Sequence, residues 1–282
     1  MAMKRLRSRR QKTGNVFELT GRVAVITGGA GLLGVQHAVA IHKFGGVPVI
    51  ADIDAQAARA AAKRVGARAV GAELDVTDLK SIEALRALLL KKFGRVHILI
   101  NNAAHNPKVE TKRGGAAFGR FEDFDVASWN LDVAVGLTGA MLCSRVFGSQ
   151  MAAAGGGVIL NIASDLALIG PDQRLYAKAG LPPHRQPKKP VSYSVVKSGL
   201  VGLTRYLATY WADCGVRANA LCPGGVENNP PAEFLQRIGK LIPMGRMARV
   251  DEYQGAVVFL CSDASAYMNG AVVSMDGGRT AW

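Results

Sequence analysis

The sequence predicts a doubly wound α/β fold, a parallel sheet of about seven strands with helices on both faces. Three observations predict it. Short runs rich in Val and Ile alternate with longer segments whose apolar residues recur at helical spacing. A glycine-rich turn follows the first of these runs and leads into a helical segment. The 282 residues are 49% hydrophobic and 20% charged, with no compositional break or internal repeat that would mark a second domain.

In order, the strand-like runs are "RVAVIT" (22–27), "VPVIAD" (47–52), "RAVGAE" (68–73), "VHILIN" (96–101), "GVILNIA" (157–163), "VRANAL" (216–221) and "AVVSM" (271–275). Their near-continuous apolar character is that of strands buried on both faces. Intervening segments such as "DLKSIEALRALLLKKFG" carry a helical stripe. Such alternation winds right-handed into a parallel sheet of Rossmann type. Pro171, Pro182, Pro183, Pro187 and Pro190 preclude a long helix, so 171–190 reads as an inserted loop. Residues 1–14 read as a basic disordered tail and 15–282 as one catalytic domain.

Charge narrows the function classes. Of a net +14, residues 1–12 supply +6 and residues 171–190 supply +4, leaving +4 for the rest. A folded body so weakly basic gives little support to nucleic-acid binding. The tail lacks an apolar core and is no secretory signal. The uncharged stretch 146–164 is split by Gly155, Gly156 and Gly157 into a helix end and a strand, so no segment reads as a membrane span. Cys143, Cys214, Cys222 and Cys261 lie far apart without metal-ligand spacing. They suit reduced thiols in a cytoplasmic protein and imply no metal.

The turn "TGGAGLLG" (Thr27, Gly28, Gly31, Leu32, Leu33, Gly34) sits where strand meets helix. There backbone N–H groups and the helix dipole favour a phosphate. Glycine clusters also mark ordinary turns, and the context decides: Asp52 ends the next strand, eighteen residues after Gly34. Its carboxylate can accept hydrogen bonds from both ribose hydroxyls of an adenosine and would repel a 2′-phosphate. The expected cofactor is NAD in preference to NADP. The bland alternative for Asp52 is a cap on the helix beginning at Ala55.

Tyr193 and Lys197, four apart in "YSVVK", share a helix face. An ammonium beside a phenol lowers the tyrosine pKa toward neutrality, as a general acid/base for alcohol–ketone interconversion requires. Ser164, at the carboxyl end of "GVILNIA", adds a hydroxyl to hold the substrate oxygen.

With these motifs in place, the chain from about 15 to 282 resembles the short-chain dehydrogenase/reductase family. It also carries "NNAA" (101–104), "LDV" (74–76), "CPGG" (222–225) and "DGG" (276–278). The resemblance implies an NAD(P)-dependent oxidoreductase acting on CH–OH groups. Tyr193 would be acid/base, Lys197 would bind the nicotinamide ribose and tune the tyrosine, and Ser164 would orient the carbonyl. Asp75, Val76, Asn102, Ala103, Pro223, Gly224 and Val226 would line the cofactor. It also implies a homo-oligomer, tetramer or dimer, built on the helices containing Gly136 and Tyr193. Less specifically, "SDLALIGPDQRLY", "LTRYLATYWA" and "DGGRTAW" resemble a subgroup of bacterial oxidoreductases of surface-carbohydrate and nonulosonic-acid pathways.

Several positions depart from the family pattern. Leu32 stands where glycine is usual. Gly136, seven residues after Trp129, takes the place of the catalytic Asn, and Asn130 lies too far back to replace it. Ser164 and Tyr193 are 29 apart, about twice the usual spacing, because of the basic loop. Arg174, Lys188 and Lys189 of that loop, joined by His105 and Lys108, are expected to rim the substrate mouth. They would favour an anionic carbohydrate. Two alternatives stay open, a catalytically impaired dinucleotide sensor and a sugar epimerase or dehydratase. With only 85 residues after Lys197, the chain has little room for the latter's substrate domain.

Overall fold

Each apolar run becomes a strand in the computed structural model, which describes residues 14–105 and 118–282. The strands are β1 (Val23–Thr27), β2 (Val47–Asp52), β3 (Val70–Glu73), β4 (Ile98–Asn101), β5 (Gly157–Ile162), β6 (Val216–Pro223) and β7 (Val272–Met275). They form one parallel sheet in the order β3-β2-β1-β4-β5-β6-β7. The order reverses beside β1, so the carboxyl ends of β1 and β4 diverge into a crevice. Most of the tail and Lys108 lie outside the described residues.

Side chains alternate across the sheet and both faces are buried. Val23, Val25 and Leu99 join one core with α3 (Leu79–Phe93) and α5 (Gly139–Ala153). Ala24, Ile26, Ile98 and Ile100 join the other with α1 (Leu32–Lys43), α2 (Ala55–Val65) and α8 (Gln254–Cys261). This is why the strands read as unbroken apolar runs rather than alternating ones. Local chemistry sets the helix ends. Asp54 caps α2 by accepting from the N–H groups of Gln56 and Ala57, both at 2.9 Å. Asp78 caps α3 through Lys80 N–H. Gly94, with φ at +77°, closes α3 in a conformation that favours glycine.

Helix α4 (Val126–Val133) runs through a π-helical turn (Ala134–Thr138) into α5. By length and composition alone, Val126–Ala153 could cross a membrane, contrary to the expectation that no segment would. Half of its most apolar stretch is buried inside the protein, and α5 packs on β4, β5 and α3, as the core helix of a soluble protein does. Helix α6 (Val191–Tyr210) lies beside it. The 171–190 segment is irregular, with short 3-10 turns at Gln173–Tyr176 and Pro183–Arg185. Its Leu175 is anchored in a small core with Ile238, Ile242 and Met247 beside α7 (Ala232–Gly239).

A buried polar ladder sets the depth of the central strands. Asn101 of β4 pairs in register with Asn161 of β5. The Asn101 amide donates to Asn161 Oδ1 at 2.8 Å and to Ser144 Oγ of α5 at 3.0 Å. Asn161 in turn donates to Thr204 Oγ1 of α6 at 2.8 Å. These donors are satisfied, while Asn101 Oδ1 is buried without a partner, and the bonds tie two helices to two strand ends at one level.

Two histidines are held neutral by the fold. His37 of α1 is completely buried, neither ring nitrogen has a hydrogen-bond partner of good geometry, and burial pushes it down to about 4 against a weak opposing effect of the Asn102 amide. His97 is also lowered to about 4, first by burial and then by Arg95 and Arg22. The unfolded chain binds these protons more readily, so stability falls as pH drops from about 6.5 toward 4. For His37 the loss is on the order of 3 kcal/mol. Urea unfolding across that range is expected to show the slope, and His37→Leu to remove its own part of it; an unchanged slope in the variant would exclude His37 as the source.

Candidate active site

The β1–α1 turn has the shape of a phosphate cradle. Gly28 adopts φ of +58°, and a Cβ there would lie 2.8 Å from Ala103 Cα. A Cβ on Gly34 would lie 2.4 Å from Gly28 O, so loop and helix approach each other as only glycine allows. Gly31 precedes α1, leaving Leu32 exposed and Leu33 half-buried at its first turn, with the helix's free N–H groups directed outward. Thr27 Oγ1 accepts from the N–H groups of Asn102 and Ala103, each at 3.0 Å. The Asn102 amide donates back to Thr27 O and Gly28 O, also at 3.0 Å.

Asp52 stands beside this cradle and is no helix cap, since Asp54 has that task. Its Oδ2 accepts from Ala30 N–H of the glycine loop at 3.0 Å, and its Oδ1 from Asp54 N–H at 3.2 Å. No Lys or Arg occurs in 27–34 or 52–58 to pair with a 2′-phosphate. The remaining expected cofactor positions occupy the same edge with unequal roles. Asp75 Oδ1 accepts from Thr77 within its own turn, and Val76 is buried against Gly139. Pro223 ends β6, Gly224 packs on Asp276 and receives the Tyr253 hydroxyl on its carbonyl at 3.1 Å, and Val226 pairs with Ala248.

Ser164, Tyr193 and Lys197 are brought together at the carboxyl end of β5. Ser164 Oγ donates to Asp165 Oδ1 at 2.8 Å and also hydrogen-bonds the Tyr193 phenol. Lys197 is buried, donates to Ile162 O at 2.8 Å and lies 5.9 Å from the Tyr193 ring centre. The expected lowering of the phenol is not found in the protein alone. Tyr193 is half-buried as a residue, but its hydroxyl end is enclosed; that desolvation raises its pKa, Ser164 opposes the rise and Asp165 adds to it. Lys197 is itself lowered to about 8, first by burial and then by Lys189, which leaves it an ammonium at neutral pH.

The described residues of the expected positive rim are placed unequally around the reacting groups, and Lys108 lies outside the described residues. Arg174 is exposed and paired with Asp172 at 2.8 Å, and His105 is turned onto Asp132 at 2.6 Å. Lys188 donates its backbone N–H to Phe118 O at the base of the loop. Lys189 reaches inward, its ammonium 3.8 Å from the Tyr193 ring centre.

Sequence reasoning missed three contributors. Asp165 and Arg279 form an almost fully buried ion pair at 2.7 Å behind Ser164. Asp132, buried in α4, accepts from Ser192 Oγ and from His105. Val196, inside "YSVVK", fills the place beside Gly136, where an added Cβ would lie 2.6 Å from Val196 Cγ1. Gly136 sits in the π-helical turn, so the residue lacking the family's side chain is also one where the helix widens. Among the described residues, no group of three or more His, Cys, Asp or Glu could hold a metal ion.

Comparison with known proteins agrees with this geometry. Residues 22–181 match the family described as short chain dehydrogenase, and residues 184–280 match that described as enoyl-(acyl carrier protein) reductase. The chain is 34% identical to a D-threitol dehydrogenase of Mycolicibacterium smegmatis, covering 94% of this chain and 95% of that protein. It is 33% identical to a cis-4-hydroxycyclohexanecarboxylate dehydrogenase of Sinomonas cyclohexanicum, covering 92% and 97%. A gluconate 5-dehydrogenase from Burkholderia cenocepacia, solved with NADP and tartrate, superposes with a TM-score of 0.81 at 28% identity, covering 95% and 98%.

The contact between Gly136 and Val196 is directly testable. Gly136→Asn is expected to lower thermal stability by roughly 1–3 kcal/mol through overpacking. Adding Val196→Ala is expected to recover most of that loss. Equal melting temperatures for the wild type and Gly136→Asn would refute the packing argument.

Proposed function

Because the chain belongs to the short-chain dehydrogenase/reductase family, we propose that it is an NAD-preferring dehydrogenase interconverting a secondary alcohol and a ketone on a polyol or sugar-derived substrate. The carrying observation is the convergence of Ser164, Tyr193 and Lys197 beside the glycine cradle and Asp52. Gly28, Gly31 and Gly34 would hold the pyrophosphate and Asp52 the adenosine ribose; the bound dinucleotide supplies the hydride acceptor or donor. Ser164 holds the substrate oxygen, and Tyr193 moves its proton there. Lys197, anchored on Ile162 O, and Lys189, over the ring, favour the phenolate.

The substrate class is supported by relatives that act on threitol, a hydroxycyclohexanecarboxylate and gluconate. Two of the three segments resembling surface-carbohydrate oxidoreductases contain Asp165 and Arg279 and meet behind Ser164, which supports a sugar-derived ligand. Lys189 is the group suited to an anionic substituent on it. Against NADP stand Asp52 and the absence of any nearby cation in 27–34 or 52–58. The four free cysteines support a cytoplasmic setting.

We further propose one catalytic domain over 15–282 that self-associates as a dimer or tetramer through α4, α5 and α6. Val195 (42% exposed), Tyr206 (60%) and Tyr210 (59%) form an outward stripe on α6, with Leu131 and Met141 exposed on the neighbouring helix.

Kinetics, a tyrosine variant and light scattering test these readings. With NAD, the purified protein is expected to oxidise members of a polyol and sugar-acid panel, with NADP at least about tenfold less efficient. Tyr193→Phe should then lose activity by more than about a hundredfold while retaining NAD affinity. Substantial turnover by that variant, or a preference for NADP, would overturn the corresponding role. Light scattering at micromolar concentration is expected to show an oligomer that Tyr206→Glu with Tyr210→Glu dissociates; a monomeric wild type would refute the interface.

A further inference from the structure

The segment after β4, helix α4 and the start of α6 converge on a second polar cluster, formed by His105, Asp132 and Ser192. Asp132 is buried on α4 and 6% exposed, and its carboxylate has two side-chain partners. Ser192 Oγ, from the residue preceding Tyr193, donates to Oδ2. His105 Nδ1 lies 2.6 Å from Oδ1. A carboxylate can only accept, so Nδ1 carries the proton and Nε2 is the nitrogen turned away from Asp132. The His105 side chain is 43% exposed. Asn101 and Asn161 are in register, so His105, four residues past the one, and Ser164, three past the other, leave the same edge of adjacent strands. Just before His105, Asn102 and Ala103 are bonded to the glycine-rich loop.

A buried carboxylate that fixes one nitrogen of a half-open imidazole is the arrangement by which proteins present the other nitrogen to a ligand. Desolvating Asp132 costs several kcal/mol unless both partners stay in place. A simple surface clamp would need neither that burial nor the open ring edge. We propose that His105 is a substrate-binding residue whose Nε2 accepts a hydrogen bond from a hydroxyl on the carbon next to the reacting one. Asp132, braced by Ser192, is its positioning residue. This selects vicinal polyols over lone secondary alcohols, and it rests on the alcohol-oxidising reading above.

The test compares the full chain with its variants on threitol, a vicinal polyol, and cyclohexanol, a lone secondary alcohol. His105→Ala is expected to raise KM for threitol about tenfold or more while changing kcat/KM for cyclohexanol by less than about threefold. NAD affinity, followed by fluorescence titration, should stay within about twofold. His105→Gln, which keeps an acceptor, should recover part of the threitol effect. Asp132→Asn should lose discrimination in the same direction. Equal losses on both alcohols, no loss on either, or a parallel fall in NAD affinity would overturn the assignment. Should the wild type turn over neither alcohol, the functional reading fails and a second measurement decides the site. In the presence of NAD, threitol and not cyclohexanol should slow modification of His105 by diethyl pyrocarbonate, read by mass spectrometry; no protection by threitol would refute the binding role.

Discussion

The architecture of the site depends on one reciprocal set of hydrogen bonds between the ends of β1 and β4. Thr27 Oγ1 accepts two backbone N–H groups from 102 and 103, and the Asn102 amide returns two bonds to the carbonyls of 27 and 28. These strands lie where the sheet order reverses, and their diverging connections open the crevice of every doubly wound fold. Left alone, the crevice would expose unsatisfied loop backbone. Here side chains satisfy it, so the glycine-rich turn is held in shape before any dinucleotide arrives. Ala103 is then seated so close to Gly28 that no other residue fits at 28.

From that point the geometry propagates through satisfied polar groups rather than through packing alone. The Asn101–Asn161–Thr204 ladder fixes the relative depth of β4, β5 and α6, and with it the approach of Tyr193 to Ser164. Apolar contacts in the two cores would tolerate small slides between layers, whereas buried amides would not, since each slipped bond leaves an unpaired donor. The electrostatics follow from this enclosure. Burial raises the phenol of Tyr193 and lowers the ammonium of Lys197, so in the protein alone the proton is held by the tyrosine.

Much of this was legible in the sequence, for identifiable reasons. The central strands, covered on both faces, leave unbroken apolar runs; the edge strands β3 and β7 are more open but carry the same short apolar signal, so all seven could be located, and β2 was bounded to the residue. The glycine turn, Asp52, Ser164, Tyr193 and Lys197 could be singled out because local spacing suggests their chemistry, and the fold places them along the carboxyl edge of the sheet. What was not legible involves partners distant in sequence. Asp132 meets His105 and Ser192 across 27 and 60 residues. The accommodation of Gly136 by Val196 requires knowing which helix faces touch. How the basic loop is arranged could not be read for the same reason: a count of charges cannot tell that Arg174 is paired with Asp172 while Lys189 lies over Tyr193. The direction of the Tyr193 shift was missed because spacing shows the neighbouring ammonium and not the desolvation that outweighs it.

The buried pair of Asp165 and Arg279 also bears on how the protein is made. The carboxylate of Asp165, next to Ser164, is synthesised 114 residues before the guanidinium that neutralises it. On a ribosome the sheet can begin to form from its amino-terminal strands, but the ledge behind Ser164 has to wait. Until Arg279 emerges, enclosing Asp165 would strand an uncompensated charge, at a cost of about 3–5 kcal/mol. A chain cut short before Arg279 would keep the Ser164 hydroxyl and the Leu166 N–H on Asp165 but lose the cation that neutralises it. Order beside Ser164 thus depends on residues close to the carboxyl end of the sequence.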